Sequence, residues 1–286
     1  VWVLYALLSA GSLATADALS KEKLIAADER VVAWVRLLFA CPFLIGLLTF
    51  VTIPPLDLTF WSTILILLPL ELTALVLYIR AIKVSPLSLT IPFLSLTPVF
   101  IMLTGWLMLG ERVDMTGAAG IGLIVIGAYL LHSHILHEGW NAPFLAIQRE
   151  KGSRLMILVA FLYSITSNLG KVAILHSSPA AFSIIYILIL TIAFAPVVFW
   201  KSRPHLPQLR THLFPFLAIG FFEATMILFH TLAIIQTQVA YMIAVKRTSL
   251  LFSVIYGHLF FREPHLGRRL LAGMLMVGGV ALISLR

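Results

Sequence analysis

Ten apolar stretches of about 18–24 residues run through the chain, near 1–20, 31–52, 60–83, 86–109, 115–132, 154–176, 179–200, 212–234, 238–261 and 266–285. At a rise of about 1.5 Å per residue, each can cross a hydrocarbon core of roughly 30 Å as a helix. The predicted fold class is an all-α membrane protein of ten transmembrane helices. Composition agrees: 60% of the 286 residues are hydrophobic, 11% are charged, and mean hydropathy is +1.03, which excludes an ordinary soluble domain. The first stretch starts at Val1 with no basic leader, so it is expected to be a true span rather than a cleaved signal.

The net charge of +8 could indicate a nucleic-acid partner, but the bases are scattered through short loops rather than gathered in a stripe. No nucleic acid is expected. Loops on one side hold Lys21, Lys23, Arg30, Arg80, Lys83 and the bases within 149–154, 201–210 and 262–269, whereas those on the other side hold only Arg112. The positive-inside rule makes the rich side cytoplasmic and places both termini outside. Cys41 is the only cysteine, so no intrachain disulfide can form.

Against this background the charges inside the spans stand out. Lys246 and Arg247 lie side by side in the ninth stretch, and each costs about 2.5–3.5 kcal/mol at the middle of a transmembrane helix. On a continuous helix Lys246, Ser249 and Ser253 share a face with Gly257 near it, and Arg247 lies about 100° around. The pair suits a carboxylate, phosphate or phosphonate, with Lys as a point charge and Arg as a two-pronged donor. The alternative is neutralisation within the protein by Glu71 and Glu223. Those two carboxyls are either polar anchors or groups that exchange a proton during work.

In the sixth stretch Ser164, Ser167, Asn168 and Lys171 form a polar stripe, and Lys171 is a candidate third cation of the same cavity. Tyr78, Tyr163, Tyr186, Tyr241 and Trp106 either line the pathway or face lipid and its interface. Tyr241 is placed with Lys246, Arg247, Lys171, Ser249 and Asn168 in the expected substrate site. Arg36 either snorkels to the interface or faces the cavity. Glu111 and Glu263 are expected to cap helix ends. His132, His134 and His137 have only Glu138 nearby, so no metal site is expected. Walker, dinucleotide and HExxH motifs are absent, and neither a cofactor nor an enzymatic activity is expected.

Sliding the chain against itself by 152 positions aligns Glu71 with Glu223, Thr73 with Thr225, Phe100 with Phe252, Gly105 with Gly257, Glu111 with Glu263 and Gly127 with Gly279. A shift of 150 aligns 14–21 with 164–171, pairing Lys21 with Lys171. The domains are therefore 1–132 and 154–286, joined by a connection over 133–153. Five spans per unit is an odd number, so the second copy enters the membrane in the opposite sense, as in secondary transporters. Lys246 and Arg247 correspond to Leu94 and Ser95, so the common scaffold does not require them. Gly117, Gly120, Gly122 and Gly127 mark the fifth span for close helix contact.

Two five-span units, each with a glycine and a closing glutamate at the end of its fourth span and a glycine-rich fifth span, resemble the EamA repeats of the drug/metabolite transporter superfamily. The basic pair is similar to one in the nucleotide-sugar and triose-phosphate branch. The resemblance implies ten helices around a cavity lined by spans one, three, four, six, eight and nine, and carriage of small metabolites. Both termini outside departs from the arrangement usual for that family. The function expected is secondary active transport of a small polar or anionic metabolite by alternating access, with protons as a candidate coupling ion. An organic-phosphate or nucleotide-sugar exchanger is the alternative, and an intramembrane enzyme or receptor is the rival from another class. The expected location is the inner membrane of a prokaryote.

Overall fold

The structure, a computed structural model, describes residues 1–23, 28–85, 91–131, 151–202, 213–252, 255–256 and 266–285. Among them are ten α-helices. They are α1 (Trp2–Lys23), α2 (Glu29–Gly46), α3 (Leu58–Val84), α4 (Thr97–Leu109), α5 (Met115–Leu131), α6 (Lys151–Leu175), α7 (Pro179–Lys201), α8 (Leu213–Ile234), α9 (Val239–Lys246) and α10 (Leu266–Ser284). Six of them, α1, α2, α3, α6, α7 and α8, are long and apolar enough to cross a membrane by themselves.

Short side chains set several helix starts. Asp28 and Asp57 accept from the backbone N–H groups of Arg30 and Phe60, and Ser178 accepts from Ala181 with Pro179 just behind it, which satisfies donors that the first helical turn leaves free. Gly110 ends α4 with a φ of 68°, a backbone that costs glycine nothing. That turn lets Glu111 N–H reach back to Gly105 O at 3.2 Å.

The fourth span, over 86–109, is interrupted near Pro92 and Pro98, where proline is expected to kink a helix, and the ninth differs from the continuous helix expected over 238–261. Ile91–Leu96 is a 3-10 helix and α4 begins only at Thr97, with Pro98 supplying no N–H to the preceding turn. In the ninth span α9 stops at Lys246 after 8 residues. Arg247 N–H is shared between Ile243 O at 3.1 Å and Ala244 O at 3.0 Å, and Thr248 N–H turns to Val245 O at 3.0 Å. Helical backbone resumes over 249–252. A tightened i to i+3 turn inside a span marks a hinge or a functional break. Under the 152-residue shift Lys246 and Arg247 fall on Leu94 and Ser95, inside the 3-10 segment, so the interruption is common to both units. Ser249 therefore lies beyond the break from Lys246, and the single polar face expected on one regular helix is not formed. Ser253 and Gly257 lie outside the described residues, as do Glu263 and the connection over 133–150.

The two units pack as inverted copies. Helix α1 lies along α8 and α3 along α6, two equivalent pairs, while α5 lies along its own counterpart α10. At the last contact a β-carbon on Gly120 would sit 2.9 Å from Gly279 O, and one on Gly127 would sit 2.7 Å from Ala272 O. The shift of 152 exchanges Gly120 with Ala272 and Gly127 with Gly279, so these close approaches are images of each other. Gly122, expected to join them, has open space around it. The symmetry is broken elsewhere. Helix α2 lies closely along α8, where a β-carbon on Gly220 would overlap the Phe39 carbonyl, whereas the equivalent α7 and α3 meet far less extensively. Leu68 takes the place of Gly220 in the first unit.

Candidate functional site

Where the helices converge, the charged side chains sort into two groups. Arg36 of α2 joins two other helices: its Nε and Nη2 donate to Glu223 Oε2 of α8 at 2.9 and 2.7 Å, and its Nη1 donates to Asp17 Oδ1 of α1 at 2.5 Å. Of the two roles open to Arg36, the inward one is observed. Glu223 is 9% exposed in this arrangement and has a bonded cation, but that cation is not one of the basic pair.

Lys246 and Arg247 make no ion pair among the described residues. Lys246 Nζ donates to Met226 Sδ at 3.3 Å and meets His230 Nδ1 at 3.2 Å, both on α8. It lies within electrostatic range of Arg247, Glu223, Glu71 and Arg36 without bonding to any of them. Arg247 Nη2 donates to Thr97 Oγ1 at 2.9 Å, which ties the break in the ninth span to the first residue of α4. Arg247 Nε is buried with no partner. An unsatisfied buried donor costs about 1–3 kcal/mol, so the guanidinium retains unused capacity to bind an acceptor. Tyr78 and Tyr163 lie in range of it.

Glu71, in the middle of α3, has no bonded cation among the described residues. Its carboxyl lies near the Thr166 side chain of α6 and feels the charge of Lys246. Tyr163 and Tyr186 lie within its range. The Tyr186 ring stacks on Phe182 with centroids 5.0 Å apart, and its hydroxyl is buried without a partner.

Three of the remaining expected site residues, Lys171, Asn168 and Tyr241, make their contacts away from the basic pair. Lys171 Nζ donates to Glu111 Oε1 at 2.5 Å and to Thr237 O at 2.6 Å. Glu111 Oε2 accepts from Val239 N–H at 2.8 Å, so one carboxylate caps α9 and holds α6. Asn168 is fully buried and donates to Thr104 Oγ1 at 2.9 Å and Ser164 O at 3.0 Å, which joins α6 to α4. The Tyr241 ring lies over Gly117 of α5, and Ser249 is buried. Trp106 points outward, 49% exposed. Among the described residues no group of three or more His, Cys, Asp or Glu side chains could hold a metal. His132, His134, His137 and Glu138 lie outside them.

Two participants were not singled out in the sequence. His230 is the neighbour of Lys246, and Asp17 completes the Arg36 cluster. The signal for Asp17 was available, because it and Arg36 both lie inside apolar stretches and each needs a partner there. The same signal was available for His230, which lies inside the eighth stretch.

This geometry defines a class first: a multi-pass membrane protein of two inverted five-helix units, with broken fourth and ninth helices and ionisable side chains gathered where they meet. The EamA-like transporter family matches residues 1–133 and 150–285, and the chain belongs to that family. It is thus an integral membrane transporter of the drug/metabolite type. A solved crystal structure, described only as that of a protein, is similar with a TM-score of 0.77 at 15% identity, over 99% of this chain and 95% of its own. Similarity at that identity concerns the fold alone. No curated protein matches the chain.

Proposed function

We propose that the protein is a secondary carrier that moves a small polar metabolite bearing an anionic group, and that Lys246 and Arg247 at the break in the ninth span receive that group. One observation carries the reading. Arg36 is bonded to Glu223 and Asp17, while the basic pair has no carboxylate partner among the described residues and Arg247 Nε has no acceptor. A broken transmembrane helix with free polar groups is a common way for carriers to hold a substrate between two repeats. Ser249 borders this site beyond the break. Lys171, Asn168 and Tyr241 act on it indirectly, by holding α9, α4 and α5 in place.

The two units, 1–132 and 154–286, exchange shapes in alternating access, with protons as the coupling ion through Glu71 or Glu223. The location is the inner membrane of a prokaryote, with both termini outside. A thermal-shift screen of metabolites tests the site, because a ligand that binds only the folded protein raises its melting temperature. Compounds with a carboxylate or phosphate should stabilise the wild type but neither Lys246→Ala nor Arg247→Ala. Equal stabilisation of all three proteins removes the pair from the site.

A further inference from the structure

Glu71 and Glu223 occupy the same position in the two units, yet their surroundings differ. The N-caps Asp28 and Ser178 align α2 with α7 at a shift of 150, the same shift that aligns 14–21 with 164–171. Arg36 then corresponds to Tyr186 and Asp17 to Ser167. The cluster of Glu223, Arg36 and Asp17 is mirrored by Glu71, Tyr186 and Ser167. One unit holds its glutamate with a guanidinium, and the other surrounds the same glutamate with hydroxyls.

We propose that the two glutamates have divided their work: Glu71 is the group that binds and releases the coupling proton, and Glu223 stays bonded to Arg36 as part of the scaffold. This rests on the carrier reading above. Glu223 accepts two of the Arg36 hydrogen bonds and Asp17 the third, so giving up the Glu223 charge would leave the guanidinium with Asp17 alone, which is unfavourable. Glu71 has no such constraint. Around it stand Thr166 and Tyr163 from α6, Tyr186 from α7 and Lys246 from α9. His230 from α8 meets Lys246. Among the described residues Lys246 is thus the one cation within its range. When Glu71 is ionised, the Lys246 ammonium balances it. When Glu71 takes a proton from water, Lys246 is released to an incoming anion, and the proton returns to water when that anion leaves. Substrate charge and proton are thereby linked through one lysine.

The division can be read without knowing the substrate. Dicyclohexylcarbodiimide adds to a carboxylic acid in an apolar setting: the acid oxygen bonds the central carbon and the proton moves to a nitrogen, so an ionised carboxylate does not react. The purified full-length protein is treated in detergent and its peptides are mapped by mass spectrometry. The expected result is label on Glu71 and none on Glu223, fading as pH is raised, lost in Glu71→Gln and kept in Glu71→Asp. Label on Glu223, label on neither, or label on Glu71 that is indifferent to pH overturns the proposal. This outcome is independent of the carrier reading, which is decided by the effect of Lys246→Ala and Arg247→Ala on ligand binding and transport.

Discussion

Arg36 and Glu223 lie 187 residues apart in sequence and share two hydrogen bonds, Nε and Nη2 both to Oε2 at 2.9 and 2.7 Å. The contact links α2 of one unit to α8 of the other. Removing one member of a buried pair leaves an uncompensated charge and costs about 3–5 kcal/mol. Arg36→Met should lower stability in detergent by about that amount, Glu223→Leu by less because Arg36 keeps Asp17, and the double variant should recover part of the Arg36→Met loss. If thermal denaturation of Arg36→Met matches the wild type, the pair does not hold the two helices together.

Gly220 lies one turn before Glu223, against the Phe39 carbonyl. A methyl group there forces backbone apart, and overpacking of this kind typically costs about 1–3 kcal/mol. Gly122 has nothing within 4 Å of the same construction, so Gly122→Ala should stay within about 0.5 kcal/mol of the wild type. Parallel melting curves of Gly220→Ala and Gly122→Ala check the contrast, and equal losses would contradict the close α2 and α8 contact.

Much of this architecture was legible in the sequence, for physical reasons. Apolar length marked the ten helices, and coincident Glu and Gly at one shift marked the repeat, because chance pairs of those residues are rare in a chain so rich in Leu and Ile. The break after Lys246 was not legible. No proline or glycine marks it, and an i to i+3 turn leaves the apolar pattern unchanged. The partner of Lys171 was hidden as well. It depends on the left-handed turn at Gly110, which directs Glu111 toward α6 and α9, and such a long-range contact has no signature along the chain. Glu223 was one of two carboxyls open to neutralising the basic pair, and it does lie within electrostatic range of Lys246. Arg36 is the cation bonded to it.

Glu111 serves two helices, so its loss should be costly even if it never meets substrate. Glu111→Ala leaves Lys171 without its acid and Val239 without its cap, and about 3–5 kcal/mol is expected from the stranded charge alone. Glu111→Gln keeps an acceptor for Val239 N–H and should lose less. A ranking in which Gln is as damaging as Ala would show that the cap contributes nothing.

Outside the membrane-spanning core, Asp57 caps α3 and meets His176 Nδ1 at 2.7 Å at the end of α6. The hydrogen bonds from Phe60 N–H and from His176 hold its carboxyl below the usual range. A carboxyl depressed in the folded state stabilises the fold above its unfolded value of about 3.9, and that stabilisation is lost as pH falls through the lower folded value. Between pH 6 and pH 3 the melting temperature of the wild type should fall more steeply than that of Asp57→Asn, which keeps the cap without the charge. Identical slopes would dissociate Asp57 from acid sensitivity.

The proposed division of the two glutamates also predicts a difference in transport. In sealed proteoliposomes Glu71→Gln should exchange substrate across the membrane but ignore an imposed pH gradient. A Glu71→Gln protein that still accumulates substrate in step with the gradient rules out Glu71 as the coupling site.

The central claim is that the break in the ninth span presents to an anion two cations that no carboxylate bonds among the described residues. Counterflow of a labelled anionic metabolite, chosen from those that stabilise the purified protein, tests it most directly in vesicles carrying wild type, Lys246→Ala or Arg247→Ala at equal folded amounts. The account predicts counterflow by the wild type and its loss in both variants. Undiminished counterflow in either variant, across carboxylate and phosphate substrates alike, would contradict it.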